Sequence, residues 1–329
     1  MREQVLWTNL TLGEIAQHLA QRGTAVSVTV VTQLLDEAGY VKRQAQKRQT
    51  LKHHPRRDEQ FRHLAQVRRR YEDSKNPIAS MDTKKKQRPD TQLRIRAFCP
   101  GIFAFLAVFR VVEKKELVGN FYRDGKLYTL KELHTLDHDF PSAATGVIIP
   151  HGLYDVKGNR GHINLGVSHD TSQFACDSLK RWWQSEGSKD YPEAESLLLL
   201  CDGGGSNAAS RYVFKAALQE LVNEIGLEVQ VGHYPPACSK YNPIEHRLFP
   251  HVTRACQGVI FVSVELVKEL IERTKTKTGL TVTVDIISGN YPTGAKAPPG
   301  FKENMTILFD DHLPKWNYRV IPQRLGRST

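Results

Sequence analysis

The sequence predicts a mixed α/β protein in which a sheet flanked by helices follows a small all-α region. Two observations carry this prediction. Apolar residues recur at helical spacing in the first part of the chain, whereas short apolar runs alternate with helical patterns from residue 77 onward. The formal net charge of +11 does not bear on the fold, but it indicates a polyanionic partner such as nucleic acid.

Two short helices are predicted near the amino end. Thr11 and Glu14 have the spacing of a capping box at the start of a helix that ends near Gly23. Ser27 is a suitable N-cap for a second helix of similar length. Two short helices joined by a tight turn are typical of a helix-turn-helix, although an ordinary αα-hairpin has the same pattern. The basic run over 41–70 adjoins the pair and favours DNA binding.

A third helix is predicted around 61–72, and the elements after it define the fold. Strands are expected at 77–82, 116–121, 126–130, 146–156 and 161–168, with the second and third forming a hairpin. A tryptophan-containing helix, an apolar strand ending at Asp202, a helix over 207–225, one more strand and the helix with Glu245 follow. Strands first, then alternating helix and strand, is the order of a ribonuclease-H-like core.

Several classes of protein are disfavoured by the sequence. No run reaches the roughly 20 apolar residues that a membrane span requires, and the amino end lacks the apolar segment of a signal peptide. The five cysteines are scattered without zinc-binding spacing. Five histidines fall between 134 and 169, but their spacings fit no helical ligand pair. We therefore expect a cytoplasmic protein without a histidine or cysteine metal site.

Three acidic residues stand at the ends of predicted elements. Asp82 closes the first strand, Asp202 closes the later apolar strand, and Glu245 opens the helix after the next strand. Functional sites of open α/β sheets lie at the carboxyl ends of strands. Carboxylates that converge there could hold two Mg²⁺ ions for a phosphoryl-transfer reaction, because Mg²⁺ prefers hard oxygen ligands.

Each carboxylate also has a structural explanation. Asp82 can be balanced by the lysines at 84–86, and Asp202 can belong to the turn before the glycine run at 203–205. Glu245 falls three residues after Asn242, which is the spacing of a capping box.

The glycine run itself has neither P-loop nor dinucleotide spacing. We predict that it lets the backbone approach the substrate closely, and that Asn207 caps the following helix.

Five blocks of the sequence carry a family likeness: MDTKKK, DHDFPS, HGLYDVKGNRGHINLGVSHDT, LLLLCDGGGSN and HYPPACSKYNPIEHRLF. They resemble the DDE transposases of bacterial insertion sequences, specifically the Rhodopirellula-type group within the Tc/mariner-like superfamily. The resemblance implies that Asp82, Asp202 and Glu245 are the catalytic, metal-binding residues. It also implies Mg²⁺ as the cofactor, with two ions expected and Mn²⁺ as a substitute.

The activity that this resemblance implies is DNA transposition. A phosphodiester is hydrolysed to free a 3′-hydroxyl, which then attacks target DNA. The expected partners are the terminal inverted repeats and the target duplex, with a homodimer in the DNA complex. Lys84, Lys85, Arg247 and Asn207 are the candidate DNA-binding residues.

One segment departs from the family pattern. Family members run directly from D-T-K-K-K into E-L-V-G-N-F, whereas residues 87–115 intervene here. Such an insertion could be a tolerated extension, or it could push the first strand out of register. Two alternatives therefore stay open: a degenerate, inactive copy that retains only DNA binding, and a related nuclease that cuts without joining.

The sequence is thus divided into three regions. Residues 1–75 are expected to form a helix-turn-helix DNA-binding region with a basic linker. Residues 76–257 form the ribonuclease-H-like catalytic domain, which contains the insertion, and 258–329 form a C-terminal extension that packs on it.

Overall fold

The computed structural model describes residues 10–41, 54–84 and 115–323. The chain divides into two compact units, Met1–Leu51 and Lys52–Thr329. The helices of the first unit are α1 (Leu12–Gln21) and α2 (Val28–Glu37). The Thr11–Glu14 capping box is present, and the Ser27 hydroxyl accepts a hydrogen bond from the Val30 backbone N–H, so both predicted helix starts are confirmed.

The third helix, α3 (Arg57–Glu72), belongs to the second unit rather than to the amino-terminal one. Leu64, Val67 and Tyr71 recur at helical spacing and are buried against strand residues of the sheet. The division of the chain therefore differs from the boundary predicted at residue 75, because this basic helix carries an apolar stripe that the sheet covers.

The second unit is built on one mixed sheet. Among the described residues its strands are β1 (Ile78–Thr83), β2 (Glu116–Val118), β3 (Gly146–Asp155), β4 (Arg160–Gly166), β5 (Ser196–Asp202), β6 (Glu228–Tyr234), β7 (Thr281–Ile287), β8 (Ile307–Phe309) and β9 (Asn317–Val320). They lie in the order β7-β4-β3-β1-β5-β6-β9-β8, with β2 added on β3.

The central five strands determine the fold class. β3 is antiparallel to both β1 and β4, whereas β1, β5 and β6 are mutually parallel. The resulting order, β4-β3-β1-β5-β6, is that of a ribonuclease-H-like core, so the predicted fold class is confirmed.

Helices cover both faces of this sheet. They are α4 (Ser172–Trp182), α5 (Ser188–Asp190), α6 (Tyr212–Ile225), α7 (Pro243–Arg247), α8 (Phe249–Ala255), α9 (Val264–Glu272) and α10 (Phe301–Asn304). α4 and α6 pack in one apolar core, and α7, α8 and α9 pack in another with residues of β3, β4 and β7. None of the helices in the described ranges is long and apolar enough to cross a membrane.

Two sequence expectations differ from this architecture. The hairpin predicted from 116–121 and 126–130 does not form, because β2 pairs with β3 instead. Arg123, expected in the hairpin turn, folds back onto the Glu116 carboxylate at 2.5 Å and lies over the Phe261 ring at 3.3 Å.

The region 258–329 does more than pack on the core, since β7 extends one edge of the sheet and β8 and β9 extend the other.

Candidate active site

The two aspartates lie side by side at the carboxyl ends of neighbouring strands. Met81 of β1 pairs with Cys201 of β5 in the parallel register, and Asp82 and Asp202 each follow one residue later. Neighbouring strands are about 4.8 Å apart. The fold therefore brings the two carboxylate-bearing positions together, although 120 residues separate them in sequence.

Both aspartates also lie on the same face of the sheet. Side chains alternate between faces along a strand. Met81 and Cys201 point into the core formed with α4 and α6, so the next residue of each strand points to the opposite face. That face carries Leu198 and Leu200 of β5, which pack against α3.

The helix that bears Glu245 covers this same face. Gly152 pairs with Asp82 across the β1–β3 ladder, and cross-strand partners share a face. A Cβ atom at Gly152 would lie only 2.9 Å from Ile244 of α7 and 2.8 Å from Phe249 of α8. The missing side chain thus lets α7 and α8 approach the sheet directly beside Asp82.

A buried polar contact fixes the start of α7 on β1. The Ser80 hydroxyl donates to the Asn242 side-chain oxygen at 2.5 Å and accepts the Ile244 backbone N–H at 3.0 Å. The Asn242 amide nitrogen donates to the Met81 carbonyl at 3.2 Å. Asn242 therefore bonds to the strand instead of capping its own helix, and it forms no side-chain cap.

The capping-box explanation of Glu245 is consequently wrong. Its backbone N–H donates to the Asn242 carbonyl at 3.0 Å, but within the described part of the chain its carboxylate forms no hydrogen bond or ion pair. Glu245 is half-buried in the first turn of α7. The helix also breaks at Leu248, since Pro250 lies in the first turn of α8 and its ring nitrogen cannot donate a hydrogen bond.

The loop after β4 contributes a further acid next to the site. Thr83 donates its backbone N–H to the Asp82 carboxylate at 2.7 Å, and its hydroxyl donates to the Asp170 carboxylate at 2.9 Å. Asp170 was not a sequence-based candidate. Its place in the block GVSHDT, directly after a predicted strand, was the only available signal.

A buried polar chain lies behind Asp202. The His233 ring nitrogen Nδ1 is 3.0 Å from the Asp202 backbone oxygen, and its Nε2 is 3.2 Å from the Tyr318 hydroxyl. Burial lowers the pKa of His233 to about 4, so this ring is neutral at pH 7. Burial raises the pKa of the Cys201 thiol well above its ordinary value, and the charges of Asp202 and Asp82 raise it further.

Lys215 places a buried ammonium group in this region. Lys215 is 3% exposed, its Nζ donates to the Ala209 carbonyl and lies 4.6 Å from the centre of the Tyr318 ring. Burial lowers its pKa to about 8. Lys215 thus ties the first turn of α6 to the loop that follows Asp202.

The three candidate acids differ in their exposure to solvent. Asp82 is fully buried, whereas Asp202 and Glu245 are half-buried. As the side chains stand, no three His, Cys, Asp or Glu residues of the described ranges are arranged to hold a metal ion. The fold therefore brings the two aspartates to one edge of the sheet and the start of α7 onto the same face, without an arrangement of carboxylates in the described ranges that could hold a metal ion.

Comparison with known families identifies the chain. A family model described as the Rhodopirellula transposase DDE domain matches residues 1–92 and 108–322. The chain belongs to this family. No curated protein matches it.

Solved structures of Mos1 transposase are also similar to the chain. A Mos1 paired-end complex with the left transposon end has 15% identity and a TM-score of 0.42, and covers 82% of this chain and 72% of that one. A pre-cleavage Mos1 transpososome has 13% identity and a TM-score of 0.44, with the same two coverages.

The family match narrows the segment that departs from the pattern. It leaves residues 93–107 unmatched, inside the insertion expected at 87–115. On its amino-terminal side β1 keeps its pairing with β3 as far as Thr83, and with β5 as far as Met81. In this transposase β1 therefore keeps regular pairing with its neighbouring strands up to and including Asp82.

The other predicted DNA-binding residues have different surroundings. Arg247 is exposed on α7. Lys84 is 8% exposed, and its Nζ is 3.4 Å from the Glu116 carboxylate. Lys85 lies outside the described residues. Asn207 is 1% exposed in a 3₁₀ turn, and α6 begins only at Tyr212, so the prediction that Asn207 caps that helix is wrong.

Proposed function

We propose that this chain is a DNA transposase that carries out Mg²⁺-dependent phosphodiester hydrolysis and strand transfer at the ends of an insertion sequence. The observation that carries the proposal is the meeting of Asp82, Asp202 and the Glu245 turn on one face of the sheet, at the carboxyl ends of β1 and β5. Family membership supports the same reaction class.

Asp82, Asp202 and Glu245 are the residues that would hold the metal. Carboxylate oxygens are the ligands that Mg²⁺ prefers, and Mn²⁺ accepts the same donor set. Asp202 and Glu245 are half-buried and Asp82 is buried, so the ion would enter from the side of the first two. Two bound divalent ions would supply charge stabilisation at the attacking and leaving oxygens of an in-line displacement. Rotation of the side chains is required to converge the carboxylates.

The surface beside Glu245 suits a phosphate backbone. Arg247 is exposed on the same turn. Arg68 of α3 is near enough for its charge, like that of Arg247, to act on His246, the residue after Glu245. His246 is itself exposed, but partial desolvation lowers its pKa, and the charges of Arg247 and Arg68 lower it further. A cationic rim next to the carboxylates would position the scissile strand, since phosphate contacts fix the register of DNA. Lys84 and Asn207 are less suited to this role because they are buried.

The remaining parts of the proposal concern partners. Helices α1 and α2 would recognise the terminal inverted repeats, the catalytic unit would also bind target DNA, and two chains would act together on the paired ends. Such a protein acts on DNA in the cytoplasm of a bacterial cell. One solved Mos1 paired-end complex is a complex with Mn, and we propose that a divalent metal ion also binds here.

The test is cleavage of a labelled duplex that carries the element's own terminal repeat. We expect Mg²⁺-dependent cleavage by the full chain, and a loss of about a thousandfold or more when Asp82, Asp202 or Glu245 is replaced by alanine. DNA affinity in a mobility-shift assay should change little. Full cleavage by any of the three variants would refute the assignment of that residue.

The unmatched segment 93–107 gives the degenerate-copy alternative its own test. A chain that lacks these residues should cleave no better than the intact chain if the copy is functional. Cleavage only after the deletion would mean that the three carboxylates are correctly named and that this copy is inactive.

A further inference from the structure

We infer that Asn242 is a positioning residue of the active site, which acts by holding the Glu245 turn on the strand that carries Asp82. This inference rests on the proposed function, because it concerns the same site. Neither residue of the contact, Asn242 or Ser80, is one of the three carboxylates proposed to hold the metal.

The first observation is that both groups are polar and completely buried. Ser80 and Asn242 each have 0% exposure. Buried polar groups are costly unless they are hydrogen-bonded. Here the Ser80 hydroxyl has two partners on the α7 side, and the Asn242 amide has one partner from each of its polar atoms. The contact is therefore a satisfied unit, and removal of one member leaves the other without its partner.

The second observation is that Asn242 departs from its local preference. Asparagine before Pro-Ile-Glu is a favoured N-cap, yet its side chain does not cap α7. The amide reaches β1 instead, to the carbonyl of the residue that precedes Asp82. A side chain that forms a distant hydrogen bond instead of a local one fixes the position of one segment against another. Here it fixes the turn that carries Glu245 against the strand that carries Asp82.

The third observation is the shortness of α7. It has five residues, which is too few for a helix to be stable by itself. Pro243 has no N–H to donate, so the Ile244 N–H to Ser80 and the Glu245 N–H to the Asn242 carbonyl are the first bonds of the turn. The first bond ends on the Ser80 hydroxyl, and the second ends on the backbone carbonyl of Asn242, whose side chain is held by Ser80 and by the Met81 carbonyl. The position of Glu245 therefore depends on it.

The experiment measures Mn²⁺ binding by the full chain without DNA, using electron paramagnetic resonance. Asn242→Ala and Ser80→Ala should weaken Mn²⁺ affinity roughly tenfold to a hundredfold, as the loss of groups that orient metal ligands does. Ser80→Thr keeps the hydroxyl and should restore affinity to within about threefold of the wild type. In the cleavage assay the same two alanine variants should need more Mg²⁺ for half-maximal rate, at unchanged DNA affinity.

Asn164→Ala is the matched control. Asn164 is also an asparagine with 0% exposure, but it lies on β4 and donates to the Ser178 carbonyl of α4, away from α7. Its replacement should lower the thermal midpoint as Asn242→Ala does, without changing Mn²⁺ affinity.

The outcomes separate the inference from the proposed function. Wild-type Mn²⁺ affinity in Asn242→Ala, or equal weakening in Asn164→Ala, would overturn the positioning role and leave the carboxylate assignment intact. Absence of Mn²⁺ binding in the wild-type chain would contradict the proposed function, and the positioning role with it.

Discussion

Replacement of Gln60 by alanine should destabilise the catalytic unit strongly, although this residue lies in a helix of basic composition. Gln60 has 0% exposure, and its amide nitrogen donates to the His233 carbonyl and to the Asn317 side-chain oxygen, both at 2.9 Å. Asn317 returns a bond to the Gln60 oxygen at 2.8 Å. The contact joins α3, β6 and β9, which are far apart in sequence.

The magnitude follows from the groups left without partners. In Gln60→Ala the His233 carbonyl and the Asn317 oxygen each lose this donor, whereas the Asn317 nitrogen keeps its bond to the His312 carbonyl. At about 1–3 kcal/mol for each of the two buried groups that lose this donor, we expect a loss of roughly 2–6 kcal/mol in the free energy of unfolding. Asn317→Ala should be coupled to it by about 1–3 kcal/mol in a double-mutant cycle.

The assay is urea unfolding of the full chain followed by circular dichroism. Gln66→Ala is the control, since Gln66 is an exposed glutamine of the same helix and its replacement should change stability by less than about 0.5 kcal/mol. Equal effects of the Gln60 and Gln66 replacements, or additive effects of Gln60→Ala and Asn317→Ala, would refute the assignment of α3 to the catalytic unit.

Three further predictions concern a buried charge, a close approach and a cap. Lys215 has an ordinary pKa of 10.5 and a folded pKa of about 8, so the unfolded chain binds more protons between these values. The wild type should therefore gain about 3 kcal/mol relative to Lys215→Met as pH rises from 8 to 10.5, and a difference independent of pH would contradict this. Gly152→Ala should cost about 1–3 kcal/mol and slow cleavage, because its Cβ would meet Ile244 and Phe249; Gly13→Ala, with open space around it, is the control. Ser27→Ala should lower the helix stability of the amino-terminal unit by about 1 kcal/mol, measured as loss of helical circular dichroism on heating.

Local chemistry explains which parts of the fold the sequence could predict. The caps at Thr11 and Ser27 depend on residues within three positions of each other, and both form. The apolar run before Asp202 is buried on both faces, so the sequence alone predicted both the strand and its end at Asp202. The order of elements then determined the ribonuclease-H-like core, which placed two of the candidate acids on neighbouring strands.

The features that the sequence did not predict depend on tertiary contacts. Nothing within a few residues of Asn242 shows that its side chain bonds to β1, so local rules assign it to a cap that does not form. The stripe formed by Leu64, Val67 and Tyr71 was readable in α3, but the many arginines around it suggested a solvated linker. Asn207 was expected to cap α6, whereas the glycine-rich loop turns before the helix begins.

The most direct test of the central claim is strand joining from a pre-cleaved end. A labelled duplex with a free 3′-hydroxyl at the terminal repeat is incubated with plasmid DNA, Mg²⁺ and either the full chain or Glu245→Gln. Because Asp82, Asp202 and Glu245 are assigned to one site for both steps, we expect joined product with the wild type and none with the variant. Joined product that survives Glu245→Gln would contradict the account, and cleavage without any joining by the wild type would identify a nuclease instead.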